Sequence, residues 1–180
     1  MLMNYMDDVI LLLTACINPN GMLYTAIQDT ELRKKQYIES LTFYLTQTQY
    51  KIVFVENSNI DISHLYQKEI SEGRLECITF NGNNFDRSLG KGFGEALILE
   101  YAFHHSKVYC ELGLREKTAL SVFFVAHKDF ISLFLSKKDS INDSANCYFE
   151  KVLFQSILEW KKGVGHKYNH FYLPIRMRGV

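Results

Sequence analysis

The chain has 180 residues, of which 47% are hydrophobic, 14% aromatic and 22% charged. This composition predicts one domain with a sizeable buried core, and it excludes global disorder, which requires low hydrophobicity and high net charge. Twenty basic residues balance twenty acidic ones, so no net field would draw the protein to nucleic acid or to an anionic membrane.

The apolar run over residues 9–17 is about half as long as a membrane span requires, so we interpret it as a buried strand. Asp7 and Asp8 precede it where a signal peptide would carry basic residues, which predicts a cytoplasmic protein. The cysteines form no C-x-x-C pair, so the sequence contains neither a zinc knuckle nor a dithiol redox motif, and we expect reduced, mostly buried thiols. They are Cys16, Cys77, Cys110 and Cys147.

Strand and helix patterns alternate through the first half of the chain. Residues 8–16 are apolar on both faces, which is typical of a parallel strand covered by helices on either side. Residues 18–21 break this strand, and Asp29 or Thr30 can cap a helix over residues 31–46. The apolar stripe of that helix contains Ile38, Leu41 and Leu45. Further elements follow: a strand at 51–55, a short helix at 63–71 and a strand at 75–80.

The same alternation continues in the second half of the chain. A polar, glycine-rich segment at 81–94 precedes a helix whose predicted apolar stripe contains Phe93, Ala96, Leu97 and Tyr101. Elements predicted after it are strands at 108–112 and 119–126, a helix at 129–135, a loop at 136–146, a helix at 149–160 and a strand at 170–173. The pattern predicts one α/β domain with a mainly parallel central sheet flanked by helices.

Polar residues follow each of the first three predicted strands. In open α/β sheets, ligands bind beyond the carboxyl ends of the strands, where the strand order reverses. Ordinary turn chemistry explains any one of these residues, so the prediction depends on their convergence in one crevice. They are Thr14, Ala15 and Cys16 after the first strand, Glu56 and Asn57 after the second, and Asn81 to Asn84 after the third.

The segment from Gly90 to Glu95 is the most informative stretch. It is not a P-loop, because Lys91 is not followed by Ser or Thr, and it does not follow the first strand as a dinucleotide fingerprint would. It offers a helix N-terminus, glycines that permit close approach and a lysine that can neutralise a phosphate. A flexible helix cap is the competing interpretation.

Five segments together resemble bacterial GT-A-type glycosyltransferases from capsule and surface-polysaccharide clusters. The resemblance covers most of the chain and depends on the order of "VEN", "GNN" before "GKGFGE", and "ND" with "YFE". The segments are DVILLLTACINPNGM, QDTELRKKQYIESLTFYL, KIVFVENSNIDIS, LECITFNGNNFDRSLGKGFGEALILEYAF and INDSANCYFEKVLF.

This resemblance implies a GT-A-like domain over residues 1–180, with a Rossmann-like nucleotide-sugar-binding half at 1–106 and a shortened acceptor-side half at 107–180. The implied activity is sugar transfer from a nucleotide sugar, expected to be a UDP-sugar, to a saccharide or lipid-linked acceptor in surface-polysaccharide synthesis. The enzyme would be cytoplasmic or peripheral to the inner membrane. The implied donor-binding residues are Thr14, Ala15, Cys16, Ile17, Glu56, Asn57, Asn83, Lys91, Gly92 and Glu95.

Within the donor site, the resemblance implies that residues 14–17 line the base and that Glu56 accepts hydrogen bonds from ribose or uracil. An inverting transferase also needs a carboxylate that takes the proton of the acceptor. Glu150 and Asp143 lie where the family tends to place such acids. Glu150 is the preferred base because it starts a regular helix, and helix capping is its competing explanation.

The chain departs from the family where a D-x-D pair would hold a divalent ion against the diphosphate. No such pair is present, although the resemblance admits Mg or Mn, and Glu111 is the only acid in the expected place, near Arg115 and Lys117. The short 107–118 segment and the abrupt end lead us to expect a truncated gene or missing sequence. His166 and His170 lie four residues apart in a loop-like segment, a weak metal-binding pattern.

Two other functions remain open from the sequence. A non-catalytic relative that binds a nucleotide or a partner would explain the missing acid pair. A nucleotidyltransferase that activates sugars would share the fold class, but it should carry a basic glycine-rich segment after the first strand. Residues 18–21 contain no basic side chain, which disfavours that third function.

Overall fold

The computed structural model describes residues 9–22, 25–108, 118–121 and 124–164. The strands are β1 (Val9–Ala15), β2 (Lys51–Glu56), β3 (Leu75–Thr79), β4 (Thr118–Ser121) and β5 (Phe124–His127). The helices are α1 (Thr30–Gln47), α2 (Gln67–Ser71), α3 (Lys91–His105), α4 (Lys128–Leu135) and α5 (Phe149–Val164). The strand predicted at 170–173 and most of the one predicted at 108–112 lie outside the described residues.

The strands form one sheet with the order β3-β2-β1-β4-β5. β1 lies parallel to both β2 and β4, and β3 lies parallel to β2, whereas β5 is antiparallel to β4. The predicted α/β class with a mainly parallel sheet is therefore confirmed. From β1 the chain adds β2 and β3 on one side and then β4 on the other, so the strand order reverses at β1.

The single strand predicted at 119–126 is wrong. Ser121 of β4 pairs with Phe124 of β5, and Leu120 pairs with Val125, so the chain reverses direction between the two strands. The sequence gives no sign of this reversal because no Gly, Pro, Asn or Asp interrupts the apolar run. The strand formers of β4 and β5 therefore look like one longer strand in the sequence.

The alternating side chains of β1 serve two separate cores. Ile10 and Leu12 pack into a cluster with buried residues of α3, α4 and α5. Leu11 and Leu13 pack on the opposite face of the sheet in a second cluster that contains Leu41 of α1. Helices on both faces explain why the run is apolar at successive positions, as predicted for a central parallel strand.

The helices α1 and α5 pack against the core through the stripes that the sequence predicts, although Ile38 and Leu45 of α1 are only partly buried. Asp29 caps α1 by accepting a hydrogen bond from the backbone amide of Leu32 at 2.7 Å, and Leu41 is fully buried. The helical spacing of residues 149–160 predicts that Leu153 and five other residues face the core. Leu153 is partly exposed but packs against the core, and the other five are buried: Phe149, Val152, Ser156, Ile157 and Trp160. α5 ends at Val164 and includes Gly163, which the sequence places in a loop.

The buried face of α3 differs from the predicted stripe. Ala96, Ile98, Leu99 and Ala102 are buried, whereas Phe93, Leu97 and Tyr101 are only partly covered. Alanine allows a helix backbone to approach a sheet closely, while large rings fit better at the flanks of that contact. Hydrophobicity alone gives greater weight to the rings, and this explains the error. Among the described helices, none has the length and apolar character needed to cross a membrane.

Adjacent residues of α5 provide a test of this packing. Ile157 is 8% exposed within the core, whereas Leu158 is 45% exposed. Ile157→Ala should lower the free energy of unfolding by about 2 to 5 kcal/mol, because it removes buried methylene groups and leaves a cavity. Leu158→Ala, the control, should change it by less than about 0.5 kcal/mol. Equal effects in urea unfolding would contradict the orientation of α5.

Candidate functional site

The loop after β1 is shaped by a tight turn. The backbone amide of Met22 donates to the carbonyl of Pro19 at 3.0 Å, and Asn20 and Gly21 have φ angles of 47° and 73°. Two successive residues with positive φ define a type I′ turn, which Asn-Gly favours. The break predicted at residues 18–21 is thus a turn, and it directs the chain back beside the carboxyl end of β1.

The carboxylate of Glu56 joins this loop to the loop after β2. Glu56 is 0% exposed, and its oxygens accept hydrogen bonds at 2.9 Å from the backbone amides of Ile17, Ser58 and Ile60. The hydroxyl of Ser58 donates to the same carboxylate. Four protein donors largely fill the acceptor sites of one carboxylate. We therefore assign Glu56 a structural role in place of the predicted contact with ribose or uracil.

Asn83 ties the loop after β3 to the loop after β1. Asn83 is 5% exposed, and its side-chain nitrogen donates to the carbonyl of Asn18 at 2.7 Å. Arg87 donates to both the side-chain oxygen and the backbone carbonyl of Asn83 at 2.8 Å. These bonds fix three loops at one edge of the sheet.

A cleft of about 190 Å³ lies at this edge, between the loops and the start of α3. It lies beside the carboxyl end of β1, where the strand order reverses. The structure brings together most of the residues predicted to bind a donor, while Ile17 is fully buried in the core and Glu56 is absent from the lining. The predicted residues in this first cleft are Thr14, Ala15, Cys16, Asn57, Asn83, Lys91 and Glu95.

Arg33 and Tyr37 of α1 also line the first cleft, and the sequence analysis missed both. Arg33 donates to the carbonyl of Cys16 through Nε at 2.9 Å and Nη2 at 2.7 Å, and it donates to the Tyr37 hydroxyl at 3.0 Å. Its guanidinium carbon lies 5.5 Å from the centroid of the Tyr37 ring. Arg33 adds a second positive charge to the cleft that Lys91 also lines. The only sequence signal is a basic residue four positions before a tyrosine, which is common on exposed helix faces.

The side chain of Asn57 has an unpaired oxygen. Asn57 is 2% exposed, and its backbone is fixed because its amide donates to Ala15 at 3.1 Å and its carbonyl accepts from Gly82 at 2.8 Å. Its Oδ1 atom is buried and has no hydrogen-bond partner among the described residues. An unsatisfied buried acceptor costs about 1 to 3 kcal/mol, so a ligand N–H or O–H group in the cleft would be stabilising there.

The Cys16 thiol in the first cleft is protonated at neutral pH. Burial raises the pKa of Cys16 to about 11, and the nearby charge of Arg33 only partly opposes this effect. The thiol donates to the carbonyl of Asn18 at 3.4 Å. Burial also raises the pKa of Cys77, to about 12. Cys16, Cys77 and Cys147 are free thiols, but each is only partly buried where the sequence predicts mostly buried ones; Cys110 lies outside the described residues.

Protein side chains pack against the glycines at the start of α3. A methyl group on Gly92 would lie 2.7 Å from the Cβ atom of Phe149, and one on Gly94 would lie 2.8 Å from the Phe85 ring. Gly90 has a φ of 85°, and a methyl group there would overlap the carboxylate of Asp143. These glycines are therefore required for close packing within the protein.

A second cleft, of about 390 Å³, adjoins the first one. It is lined by Gly92, by both predicted catalytic acids, Asp143 and Glu150, and by Tyr148 and Phe149. Lys91 and Glu95 line both clefts. The predicted donor-side and acceptor-side residues therefore meet across the first turns of α3.

Glu95 is the carboxylate shared by the two clefts. Burial raises the pKa of Glu95, and the negative charge of Glu150 raises it further. Within the described ranges, no three His, Cys, Asp or Glu residues are grouped so as to hold a metal ion. Glu111, Arg115, Lys117, His166 and His170 lie outside the described residues.

Comparison with known proteins gives no assignment. No model of a protein family matches the chain, and no curated protein or solved structure matches it. The resemblance to GT-A-type glycosyltransferases is therefore supported by the sequence segments alone. Any function must be inferred from the chemistry of the two clefts.

The role of Glu56 can be tested by an isosteric change. Glu56→Gln should lower the free energy of unfolding by about 2 to 4 kcal/mol, because an amide keeps one acceptor oxygen and leaves a buried backbone amide unpaired. Glu39→Gln is the control, since Glu39 forms only an exposed ion pair with Lys35 at 3.9 Å, worth less than about 1 kcal/mol. A neutral Glu56→Gln in urea unfolding would exclude the structural role.

The environment of Cys16 predicts slow alkylation. The thiolate is the reactive form, so at pH 8 we expect iodoacetamide to modify Cys16 about 10 to 100 times more slowly than free cysteine. Because the raised pKa keeps the thiol protonated, the rate should still increase between pH 9 and 10, where that of free cysteine levels off. Mass spectrometry of each cysteine gives the rates, and a plateau at pH 9 would show that Cys16 is not buried as described.

Proposed function

We propose that this protein is a GT-A-like glycosyltransferase that binds a nucleotide sugar in the first cleft and a saccharide or lipid-linked acceptor in the second. The observation that carries the proposal is the meeting of the two clefts at Lys91 and Glu95. Transfer between two bound molecules requires adjoining sites, because the reacting atoms must come within about 3 to 3.5 Å of each other. The order of the five resembling segments supports the same reaction class.

The first cleft has the chemistry that a nucleoside diphosphate requires. Lys91 and Arg33 provide positive charge, and the amides at the start of α3 favour a negatively charged group. The unpaired Oδ1 atom of Asn57 accepts a hydrogen bond, which the imide N–H of uracil would supply. These features favour a UDP-sugar as the donor.

The proposed reaction uses only residues of the two clefts. The positive charges of Lys91 and Arg33 stabilise the diphosphate as it leaves, because charge develops on its oxygens when the bond to the sugar breaks. The acceptor lies in the second cleft beside Tyr148 and Phe149, where its hydroxyl can approach the sugar.

A non-catalytic nucleotide-binding protein is the second candidate function. One observation favours it: Asp143 and Phe149, which border the second cleft, pack tightly against Gly90 and Gly92. If this packing is rigid, an acceptor has less room beside α3, and nucleotide binding would be the only activity. The two candidates predict the same occupant of the first cleft.

Calorimetry with UDP, GDP, CDP and UDP-sugars tests the first cleft. Lys91→Ala should weaken the binding of UDP about 10- to 100-fold, because a charge-assisted bond is worth about 1.5 to 3 kcal/mol. Lys51→Ala is the matched control. Lys51 is exposed at the amino end of β2, whereas the first cleft lies at the carboxyl ends of the strands. Failure of the wild-type protein to bind any of these compounds at millimolar concentration would exclude the proposal.

Asn57→Ala separates ligand recognition from folding. It removes both the unpaired oxygen and its desolvation cost, so the free energy of unfolding should change by less than about 1 kcal/mol. The affinity for UDP should fall about 3- to 10-fold, because one hydrogen bond to the base is lost. Unchanged UDP affinity in calorimetry would show that Asn57 does not contact the nucleotide.

The transfer step requires its own assay. The wild-type protein is incubated with UDP-sugars and oligosaccharide or polyprenyl-linked acceptors, and the release of UDP and the mass of the product are measured. Release that depends on the acceptor supports a transferase. Binding of UDP-sugars without any release would support the non-catalytic alternative.

A further inference from the structure

We propose that Glu95 is the catalytic base of the transfer and takes the proton of the acceptor hydroxyl at the junction of the two clefts. This inference rests on the proposed function and assigns its central proton transfer. It replaces the expectation that Glu150 or Asp143 is the base.

The position of Glu95 is the first argument. A base must contact the acceptor hydroxyl while that hydroxyl faces the anomeric carbon of the donor, so it must reach both bound molecules. Glu95 lines both clefts, whereas Asp143 and Glu150 line only the second one. Glu95 is also fixed within α3, which extends from Lys91 to His105, so its backbone is held in place.

The second argument is that no described residue binds the carboxylate of Glu95. It forms no hydrogen bond or ion pair with any residue in the described part of the chain, although it is partly buried. Two other carboxylates near the sheet serve the structure: Glu56 holds two loops, and Glu76 accepts hydrogen bonds from Ser106 and from the Lys107 amide. The lone pairs of Glu95 thus remain available to a ligand hydroxyl.

Each of the other two acids is less suitable as the base. The carboxylate of Asp143 packs against Gly90 at the N-terminus of α3, where a negative charge stabilises the helix. Glu150 is exposed in the first turn of α5, where little packing holds its side chain in one position. Glu150 instead influences Glu95, because its negative charge raises the pKa of the Glu95 carboxyl.

The electrostatic surroundings favour a proton acceptor. Burial and the charge of Glu150 raise the pKa of Glu95, so its ionised form binds a proton more strongly than an exposed glutamate does. The charged groups that share its clefts are Lys91 on the same helix, Arg33 on α1, Asp143 before α5 and Glu150 on α5. Activity that requires ionised Glu95 should therefore rise with pH through a pKa above the usual value of about 4.3.

The step balances as a single displacement. The oxygen of the acceptor hydroxyl forms a bond to the anomeric carbon, and its proton moves to a carboxylate oxygen of Glu95. The bond between that carbon and the β-phosphate oxygen breaks, and its electron pair leaves with the nucleoside diphosphate. Glu95 then releases the proton to solvent. Direct attack predicts inversion at the anomeric carbon.

The test compares four variants of the full chain with the wild-type protein: Glu95→Gln, Glu100→Gln, Glu150→Gln and Asp143→Asn. Glu95→Gln should lower kcat by about 10²- to 10⁴-fold, because the amide keeps the shape but cannot take a proton. Its affinity for the UDP-sugar in calorimetry should change by less than about threefold. Glu100→Gln is the matched control, since Glu100 lies on the same helix, pairs with Lys138 at 3.5 Å and lines neither of the two clefts. Its kcat should equal that of the wild type.

Glu150→Gln distinguishes a catalytic role of Glu95 from a purely structural one, because only a catalytic role makes the pH profile of activity depend on the pKa of Glu95. Removing the charge of Glu150 lowers the pKa of Glu95, so the acidic limb of the kcat/KM profile should shift to lower pH. NMR of the product should show inversion of the anomeric configuration.

The outcomes distinguish this inference from the proposed function. If the wild-type protein transfers sugar and Glu95→Gln is equally active, or if only Glu150→Gln or Asp143→Asn abolishes turnover, the assignment of Glu95 is overturned and the transferase stands. Retention of the anomeric configuration would also overturn it. If the wild type binds UDP-sugars without transferring sugar to any acceptor, the transferase and the base are both excluded, and only nucleotide binding stands.

Discussion

The buried carboxylate of Glu56 is the interaction on which the first cleft depends. A carboxylate in the interior is costly unless charge-assisted hydrogen bonds replace its water, and Glu56 obtains them from amides of two separate loops. The loops after β1 and β2 therefore cannot move apart without exposing an unpaired charge. Asn57, the residue after Glu56, lines the first cleft.

The reversal of strand order at β1 is the second constraint that shapes the first cleft. The chain places β2 and β3 on one side of β1 and β4 on the other, which leaves a crevice at the carboxyl end of β1. α3 begins beside this crevice and separates it from the second cleft. The glycines at its start allow Phe85, Asp143 and Phe149 to pack closely, so they set the walls of the two clefts. Arg33 also lines the first cleft, and Lys91 and Glu95 line both clefts.

Three glutamates in this protein illustrate how one residue type takes different roles. Glu56 is saturated by protein donors, Glu39 forms only an exposed ion pair with Lys35, and Glu95 has no described partner although it is partly buried. From the sequence alone, Glu56 is a better candidate for binding a ligand than Glu39 or Glu95, because it ends a strand of the predicted crevice. One of the hydrogen-bond donors to the Glu56 carboxylate is the backbone amide of Ile17, which is distant in the chain. No local sequence pattern predicts this hydrogen bond.

The sequence by itself determined the α/β class, the double covering of β1, the stripes of α1 and α5 and the convergence of Thr14, Asn57 and Asn83. It could do so because side-chain periodicity reports local burial and because the carboxyl ends of parallel strands share one edge. Only the tertiary structure decided the reversal between β4 and β5, the buried face of α3, the place of Arg33 in the cleft and the partners of each carboxylate. These features depend on contacts between residues far apart in the chain, whose geometry is fixed only when the layers pack together.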